Sequence, residues 1–272
     1  MTTSLSPDLV SLRDKQQKVW SSGDYNRIAA LTVPVNEATV AAASVVPGDR
    51  VLDVATGTGH SALAAARQGG DVTAIDYVPA LLDIARSRAA AEHLDVDFIE
   101  APAEVLPFGN GAFDTGISTI GIMFAADHEQ AARELTRVVR PGGRIVVTSW
   151  TADGFVGGML AAVGRHVTPP PGARPGTRWG DQEYVASLLG DRVQSLDSHT
   201  AALTVRFVDA SAFADLFLSH YGPTFTAASK LDDDGEQVLR ADLIALAESY
   251  EQPVPGGISI DWEYRVVEAV RS

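Results

Sequence analysis

Residues 53–76 gather the side chains best suited to chemistry: Asp53, Gly57, Gly59 and, seventeen residues later, Asp76. Glycines between a strand and a helix permit positive φ and let the backbone approach a ligand closely. Asp76, closing the next strand, can accept hydrogen bonds from both hydroxyls of a ribose; its plainer reading is a turn residue before Tyr77-Val78-Pro79. The spacing Gly57-x-Gly59-x-x-Ala62 also fits a dinucleotide-binding turn, so the glycines do not choose the ligand. Asp53 does. A carboxylate at the tip of the first strand, aimed at the turn, opposes a pyrophosphate at the adjacent helix N-terminus and favours a ligand bearing an ammonium group. The competing role for Asp53 is a simple cap of the turn.

S-adenosylmethionine carries an ammonium, a sulfonium and a ribose, and it satisfies both carboxylates together. The elements that must hold them follow from the pattern of apolar runs. Strands are expected at 50–54, 71–76, 95–100, 113–118 and 144–150, with helices at 60–68, 79–92 and 127–140. Strands alternating with helices predict a parallel sheet covered on both faces. Asp127 reads as a helix start and "RPGG" at 140–143 as that helix's end. Upstream, 5–20 and 24–44 are helix-like with a break at Pro34. Downstream, 168–176 is a proline-glycine connection, 181–189, 209–220 and 234–250 are helical, and 193–207 and 258–270 are strands.

The 272 residues suffice for one large domain or a core with appended parts. No run approaches a membrane span, no basic-then-apolar leader opens the chain, and there is no cysteine, so disulfides and thiolate metal sites are excluded. A cytoplasmic protein without membrane partner is expected. The net charge of −14 repels a phosphate backbone, and the run Arg133, Arg137, Arg140, Arg144 is interrupted by Glu134, which argues against a nucleic-acid partner. The oligomeric state has no signature.

Four stretches in order carry a family resemblance. "VLDVATGTGH" and "VTAIDYVPALLDIAR" resemble the first two motifs of class I S-adenosylmethionine-dependent methyltransferases; "APAEVLPFGNGAFDTGIS" and "ARELTRVVRPGGRIVVTSW" are similar to the adenine loop with the fourth strand and to the helix with the fifth. Together they cover about residues 45–150, and with "WSSGDYNRIA" at 20–30 the flavour is that of the branch modifying quinones and natural products. The resemblance implies an α/β, Rossmann-like, doubly wound and mostly parallel seven-stranded sheet, with N-terminal helices and a helical cover inserted after strand five. The division it suggests is 1–44 as N-terminal cover, 45–150 as cofactor-binding core and 151–272 as sheet completion plus acceptor-binding cover.

The family also implies roles. Asp53, Ala55, Gly57 and Gly59 would line the methionine moiety, Asp76 the ribose, Tyr77 with Ala103 and Glu104 the adenine, and Ser118 and Thr119 the sulfonium end. Two positions depart from the pattern: Ala55 replaces a frequent glycine, and Pro102 replaces a frequent aspartate that receives the adenine amino group. The expected activity is methyl transfer to a small-molecule acceptor. The alternatives are an S-adenosylmethionine-binding protein without methyl transfer and an NAD(P)-dependent oxidoreductase. Methyl transfer needs a base only when the acceptor must lose a proton, so no catalytic residue is assigned. Among histidines, His60 sits in the turn, His128 is expected at the surface, His166 and His199 lack a partner pattern, and His220 is a candidate over the methyl site against a plain helix C-terminus. Ile122, Met123, Phe124, Phe155 and Trp179 read equally as acceptor wall or core. "DDDGE" at 232–236 lacks the ligand alternation of a calcium loop, and no metal site is expected.

Overall fold

The computed structural model describes residues 7–168 and 172–272; the start of the expected helix at 5–20 and the middle of the proline-glycine connection lie outside them. Five short apolar runs form the parallel half of the sheet: β1 (Arg50–Val54), β2 (Asp71–Asp76), β3 (Val96–Glu100), β4 (Phe113–Thr119) and β5 (Val139–Trp150). Val51, Leu52, Val54 and Ile75 are fully enclosed, as strands covered on both faces require. β6 (Val193–Phe207) and β8 (Gly257–Arg271) complete the sheet, β8 running antiparallel between β5 and β6. The order β3-β2-β1-β4-β5-β8-β6 is the expected mostly parallel seven-stranded sheet, and a three-residue β7 (Gln252–Val254) adds an eighth strand on β8. Strand order reverses between β1 and β4, and that switch point opens the crevice in which open α/β sheets bind ligands.

The core helices α4 (His60–Arg67), α5 (Pro79–Ala91) and α6 (His128–Val138) fall where the pattern puts them. Asp127 caps α6 by accepting from the Gln130 backbone N–H at 3.0 Å. The same device opens α8 (Gln182–Leu189), α9 (Ala210–His220) and α11 (Asp233–Tyr250), capped by Asp181, Asp209 and Asp232. Asp232 thus spends its carboxylate on the Gly235 N–H, and no cluster of potential metal ligands occurs among the described residues. Upstream, α1 (Pro7–Trp20), α2 (Tyr25–Ala29) and α3 (Val33–Ala43) follow one another, with Pro34 in the first turn of α3, where its missing N–H costs nothing.

Three local readings are corrected. "RPGG" does not end α6, which stops at Val138; instead the register jumps from Phe113↔Val139 to Thr115↔Arg144, and residues 140–143 bulge out of β5. Pro141 has no N–H for the ladder and Gly142 sits at φ +73°, so this stretch bends the strand rather than the helix. Second, α7 (Phe155–His166) has no counterpart in the expectation, because Gly157, Gly158 and Gly164 break its helical pattern. Gly157 is there for packing: a Cβ would stand 2.3 Å from the carbonyl oxygens of Thr151 and Ala152. Third, α10 (Gly222–Ala228) follows Tyr221 in a stretch to which the pattern assigns no element.

The arginine run is spent on structure. Arg133 donates to Gln130, Arg137 pairs with Glu134, Arg140 with Asp114 and Arg144 with Asp49. No helix among the described residues is long and apolar enough to cross a membrane. One continuous buried cluster draws on all three segments, from Ile28 through Val54 and Trp150 to Ala269. α1 packs on α10 and α2 on α9, so N-terminal and C-terminal cover elements meet.

Candidate active site

The loop between β1 and α4 turns on left-handed residues: Ala55 at φ +56°, Gly57 at +56° and Gly59 at +88°. Gly59 is forced twice, since a Cβ there would lie 2.8 Å from the Ala85 Cβ and 2.9 Å from Leu63 Cδ1. Ala55 adopts the same region with a side chain, at a cost of about 1–2 kcal/mol. Replacing it by glycine removes that strain but frees the unfolded chain, and we expect Ala55→Gly to stabilise the protein by about 0.5–1 kcal/mol. Urea unfolding measures this; a loss of stability would mean that the alanine methyl contributes more by packing than it costs in strain.

Above this turn lies a cavity enclosing about 860 Å³, including its open mouth, within the range of small-molecule sites. Of the positions singled out in the sequence, Ala55, Gly57, Asp76, Tyr77, Ala103, Glu104 and Thr119 line it. Asp76 is buried; its Oδ2 accepts from the Gly57 N–H and its Oδ1 from the Val78 N–H, both at 2.9 Å. Each oxygen retains a further lone pair for a hydroxyl donor, so the residue fits a ribose. Burial pushes its carboxyl up to about 6 against the pull of those backbone donors. Glu104 faces the cavity while its Oε1 accepts from the Ala126 N–H at 2.6 Å, which ties the loop after β3 to the loop before α6. The Tyr77 hydroxyl is buried with no partner among the described residues. Pro102 does not line the cavity; its carbonyl accepts from Val105, and Ala101 and Ala103 on either side form the wall.

Three expected positions do not line the cavity: Gly59, which packs against Ala85 and Leu63, Asp53 and Ser118. Asp53 is not at the mouth of β1 facing the ligand. It is enclosed beneath the turn, where Oδ2 accepts from the Thr56 hydroxyl at 2.5 Å, and Oδ1 is buried with no partner among the described residues. The reason is strand alternation together with the αL residue Ala55, which folds the turn back over the carboxylate. Burial raises its carboxyl to about 7, with the Asp76 charge adding to the rise. Ser118 likewise turns inward, donating to the Val54 carbonyl at 2.7 Å and accepting from the Ile122 N–H at 2.9 Å. It joins the ends of β1 and β4 to the 3₁₀ turn Ile122–Phe124.

Several lining residues were not singled out in the sequence, although two of them lie in the stretch "WSSGDYNRIA". Trp20 and Tyr25 come from α1 and α2, and the Tyr25 ring edge lies over Gly57. Arg88 of α5 anchors this flap: it donates to Asn26 Oδ1, to the Thr58 carbonyl at 3.0 Å and to His60 Nε2 at 2.5 Å. His60 is therefore an acceptor at Nε2 with its proton on Nδ1, and burial, then Arg88, lower it to about 4. Thr119, Ser61 and Asn36 form a hydroxyl–amide chain, Thr119 to Ser61 at 2.6 Å and Ser61 to Asn36 at 2.7 Å.

Beside the main cavity a second, much smaller space, about 340 Å³ with its open mouth included, shares Trp20, Tyr25, Thr32, Ile120 and Phe124 with it. Ile120, at the junction, holds φ +56°, an uncommon state for a β-branched residue and one that concentrates at functional sites. Phe124 and Ile122 reach the cavity, whereas Met123, Phe155 and Trp179 are fully buried core. His220 lines neither space; its carbonyl accepts from the Asp24 N–H at 3.0 Å and braces the turn between α1 and α2. His128 is not at the surface: its ring packs edge-on against Trp179 and its Nδ1 meets the Tyr184 hydroxyl at 3.0 Å. His166 pairs with Asp242 at 2.9 Å.

Comparison with known proteins bears on this geometry. Residues 52–147 match the model of the family described as "Methyltransferase domain". An uncharacterised protein of Mycobacterium tuberculosis is 43% identical over 264 residues, covering 95% of each chain. A demethylmenaquinone methyltransferase of Deinococcus radiodurans is 35% identical over 166 residues, 59% of this chain and 69% of that one. The YcgJ protein of Bacillus subtilis shares the fold, with a TM-score of 0.61 at 18% identity over 87% of this chain and 97% of its own.

Proposed function

The chain belongs to the class I S-adenosylmethionine-dependent methyltransferases, and on that premise we propose that the cavity over the glycine turn holds the cofactor while the space beside it holds a small-molecule acceptor. The observation that carries this reading is that the two spaces share five lining residues, so that the same side chains border a ligand in either. Bound there, S-adenosylmethionine supplies an electrophilic methyl group on a positively charged sulfur.

In this reading Asp76 accepts from the ribose hydroxyls, and Gly57 lets the backbone approach the amino-acid end, while Gly59 lets the turn pack on α5. Tyr77, Ala103 and Glu104 border the base, and Thr119 faces the junction with Ala55. Asp53 and Ser118 position this wall without touching the ligand, Asp53 through Thr56 and Ser118 through Val54 and Ile122. Segment 45–150 serves the cofactor, while 1–44 and 151–272 supply most of the acceptor chamber, including Tyr25, Trp150's neighbour Trp262, and Tyr221. The acceptor chamber orients its guest and keeps water out, which for an in-line displacement is much of the catalysis.

Calorimetry with S-adenosylmethionine, S-adenosylhomocysteine and NADH tests the reading: the first two should bind and the third should not. Binding of NADH alone would overturn it. The same titration carries a pH prediction. A ribose donor and a cationic ligand favour ionised carboxylates, and the free carboxyls sit at about 6 for Asp76 and about 7 for Asp53. Cofactor binding must therefore release protons in that window, and affinity should rise as pH climbs through it and level off above. Below the window the loss approaches about tenfold per pH unit for each coupled group. A flat profile from about pH 5 to about pH 8 would contradict the coupling.

A further inference from the structure

The wall of the main cavity carries a hydrogen-bond donor that the fold itself does not use. His60 opens α4 directly after the glycine turn and lines the cavity. Its Nε2 meets Arg88 Nη1 at 2.5 Å, and a guanidinium can only donate, so Nε2 offers a lone pair and Nδ1 carries the proton. In free histidine the Nε2–H form predominates; Arg88 imposes the other one. Arg88 is itself held in place, since the same guanidinium donates to Asn26 Oδ1 and, at 3.0 Å, to the Thr58 carbonyl. The Nδ1–H has no acceptor among the described residues, yet it is not sealed in protein as the unpartnered Asp53 Oδ1 is.

Charge decides where an anionic group of a ligand can go. The chain carries −14, and Asp76 and Glu104 on the cavity wall, with Asp53 beneath the turn, repel an anion. Arg13, the arginine on the wall, pairs with Asp14. It also opposes the burial and the Asp76 and Glu104 charges that push the Tyr77 hydroxyl up, so it serves the base side. The cation beside the glycine turn is Arg88, and the His60 ring presents its charge to the cavity as an N–H donor.

Resting on the cofactor reading above, we infer that the His60 Nδ1–H donates to the carboxylate of the cofactor's methionine moiety, and that Arg88 is the positioning residue that fixes this donor tautomer. Gly57 brings the amino-acid end of the ligand to the same turn from which His60 projects. Burial, then Arg88, lower the ring to about 4, so it is neutral at working pH. The donor is therefore supplied by the tautomer and not by a titrating proton, while the positive charge stays on Arg88. An imidazole polarised by a guanidinium behind it is a stronger donor than a free one. The surrounding carboxylates push the opposite way, so a preference for the carboxylate-bearing ligand requires a specific donor of this kind.

Calorimetry on the full chain compares S-adenosylhomocysteine with its decarboxylated analogue, which keeps the ammonium group and lacks only the carboxylate. The wild type should prefer the carboxylate-bearing form by about tenfold, the usual worth of one hydrogen bond to a charged group. His60→Leu should cut that preference to under about threefold and leave affinity for the decarboxylated form as it was. A merely structural histidine would weaken both ligands alike. Nitrogen NMR of the isotope-labelled protein reads the tautomer: the wild type should show a protonated Nδ1 and a bare Nε2. Arg88→Met should return His60 to the Nε2–H form and lower the carboxylate preference with it. Thermal melts report folding of both variants, and the wild-type affinity ratio and spectrum test the inference even if a variant fails to fold. Equal wild-type affinities, a preference that survives His60→Leu, an Nε2–H tautomer in the wild type, or a tautomer unchanged by Arg88→Met would each overturn the inference while the cofactor reading stands. Failure of both ligands to bind would overturn the cofactor reading itself.

Discussion

Substituting Asp76 with asparagine should weaken S-adenosylhomocysteine binding by about a hundredfold, because the change removes two supports at once. A carboxylate accepting from ribose hydroxyls makes charge-assisted bonds, each stronger than a neutral one. Asparagine offers one oxygen where Asp76 has two, and both are already taken by the backbone N–H groups of Gly57 and Val78. One of those donors would then face an amide NH2, so the glycine turn loses its tether to β2 as well as its ligand partner. Asp53→Asn should cost far less, since Asp53 lies beneath the turn, bound to the Thr56 hydroxyl and outside the cavity lining. Calorimetry on both variants gives the comparison directly. Equal losses would mean that charge in the vicinity matters and contact does not. A loss under about threefold for Asp76→Asn, less than one ordinary hydrogen bond, would remove Asp76 from the ribose site.

The ordering of those two carboxylates marks the boundary of what the sequence could tell. The glycine turn, the strand ends and the Asp76 position are local features: each follows from residue types within a few positions, and the structure reproduces β1, β2 and β6 with the expected bounds. The direction of the Asp53 side chain is not local. It depends on Ala55 adopting a left-handed φ, and an alanine at that position gives no warning that it will. The second space beside the cavity was largely invisible for a related reason. Trp20, Phe124, Trp150, Phe217 and Trp262 stand far apart in the chain, and of them only Phe124 reads from the sequence as either acceptor wall or core. His128 shows the converse: its place after a helix cap suggests exposure, but Trp179 and Tyr184 arrive from a distant segment and bury it. Glycines misled in α7, where close backbone approach, rather than a turn, explains Gly157.

Stability also shapes this site. Asp53 and Asp76 hold their folded-state carboxyls above the ordinary carboxylate range, to about 7 and about 6. A raised folded-state value means that the native protein binds more protons than the unfolded chain in that window. The stabilisation is therefore complete below the ordinary value near 3.8 and is lost as pH rises through about 6 and about 7. The cofactor-free enzyme accordingly stores unfavourable electrostatics at neutral pH that a cationic ligand relieves. Left-handed Ala55 and Ile120 add backbone strain on the same wall. Binding energy and fold stability are coupled through these residues.

Gly121→Ala tests the packing half of that coupling, and we expect it to be among the most damaging single changes in the chain. Gly121 has a negative φ of −105°, so glycine is not required by conformation. It is required by space: a Cβ would stand 2.5 Å from the Ala55 carbonyl oxygen and 2.7 Å from the Ala55 Cβ. Backbone cannot yield as a side-chain tip does, so either the 3₁₀ turn Ile122–Phe124 or the glycine loop must move. Overpacking of this kind costs about 1–3 kcal/mol, and more where both partners are fixed. Both partners here line the cavity, so cofactor affinity should fall with stability, by at least about tenfold, a displacement equivalent to one lost hydrogen bond. Gly109→Ala, with nothing within 4 Å of the added methyl, is the control and should change neither. A double-mutant cycle with Ala55→Gly separates the two clashes. Removing the Ala55 methyl relieves the 2.7 Å contact but leaves the carbonyl at 2.5 Å, so rescue should be partial. Full rescue would show that the loop carbonyl gives way easily and that the turn is less fixed than its three left-handed residues imply. Wild-type melting and affinity in Gly121→Ala alone would show that the turn after β4 does not clamp the loop at all.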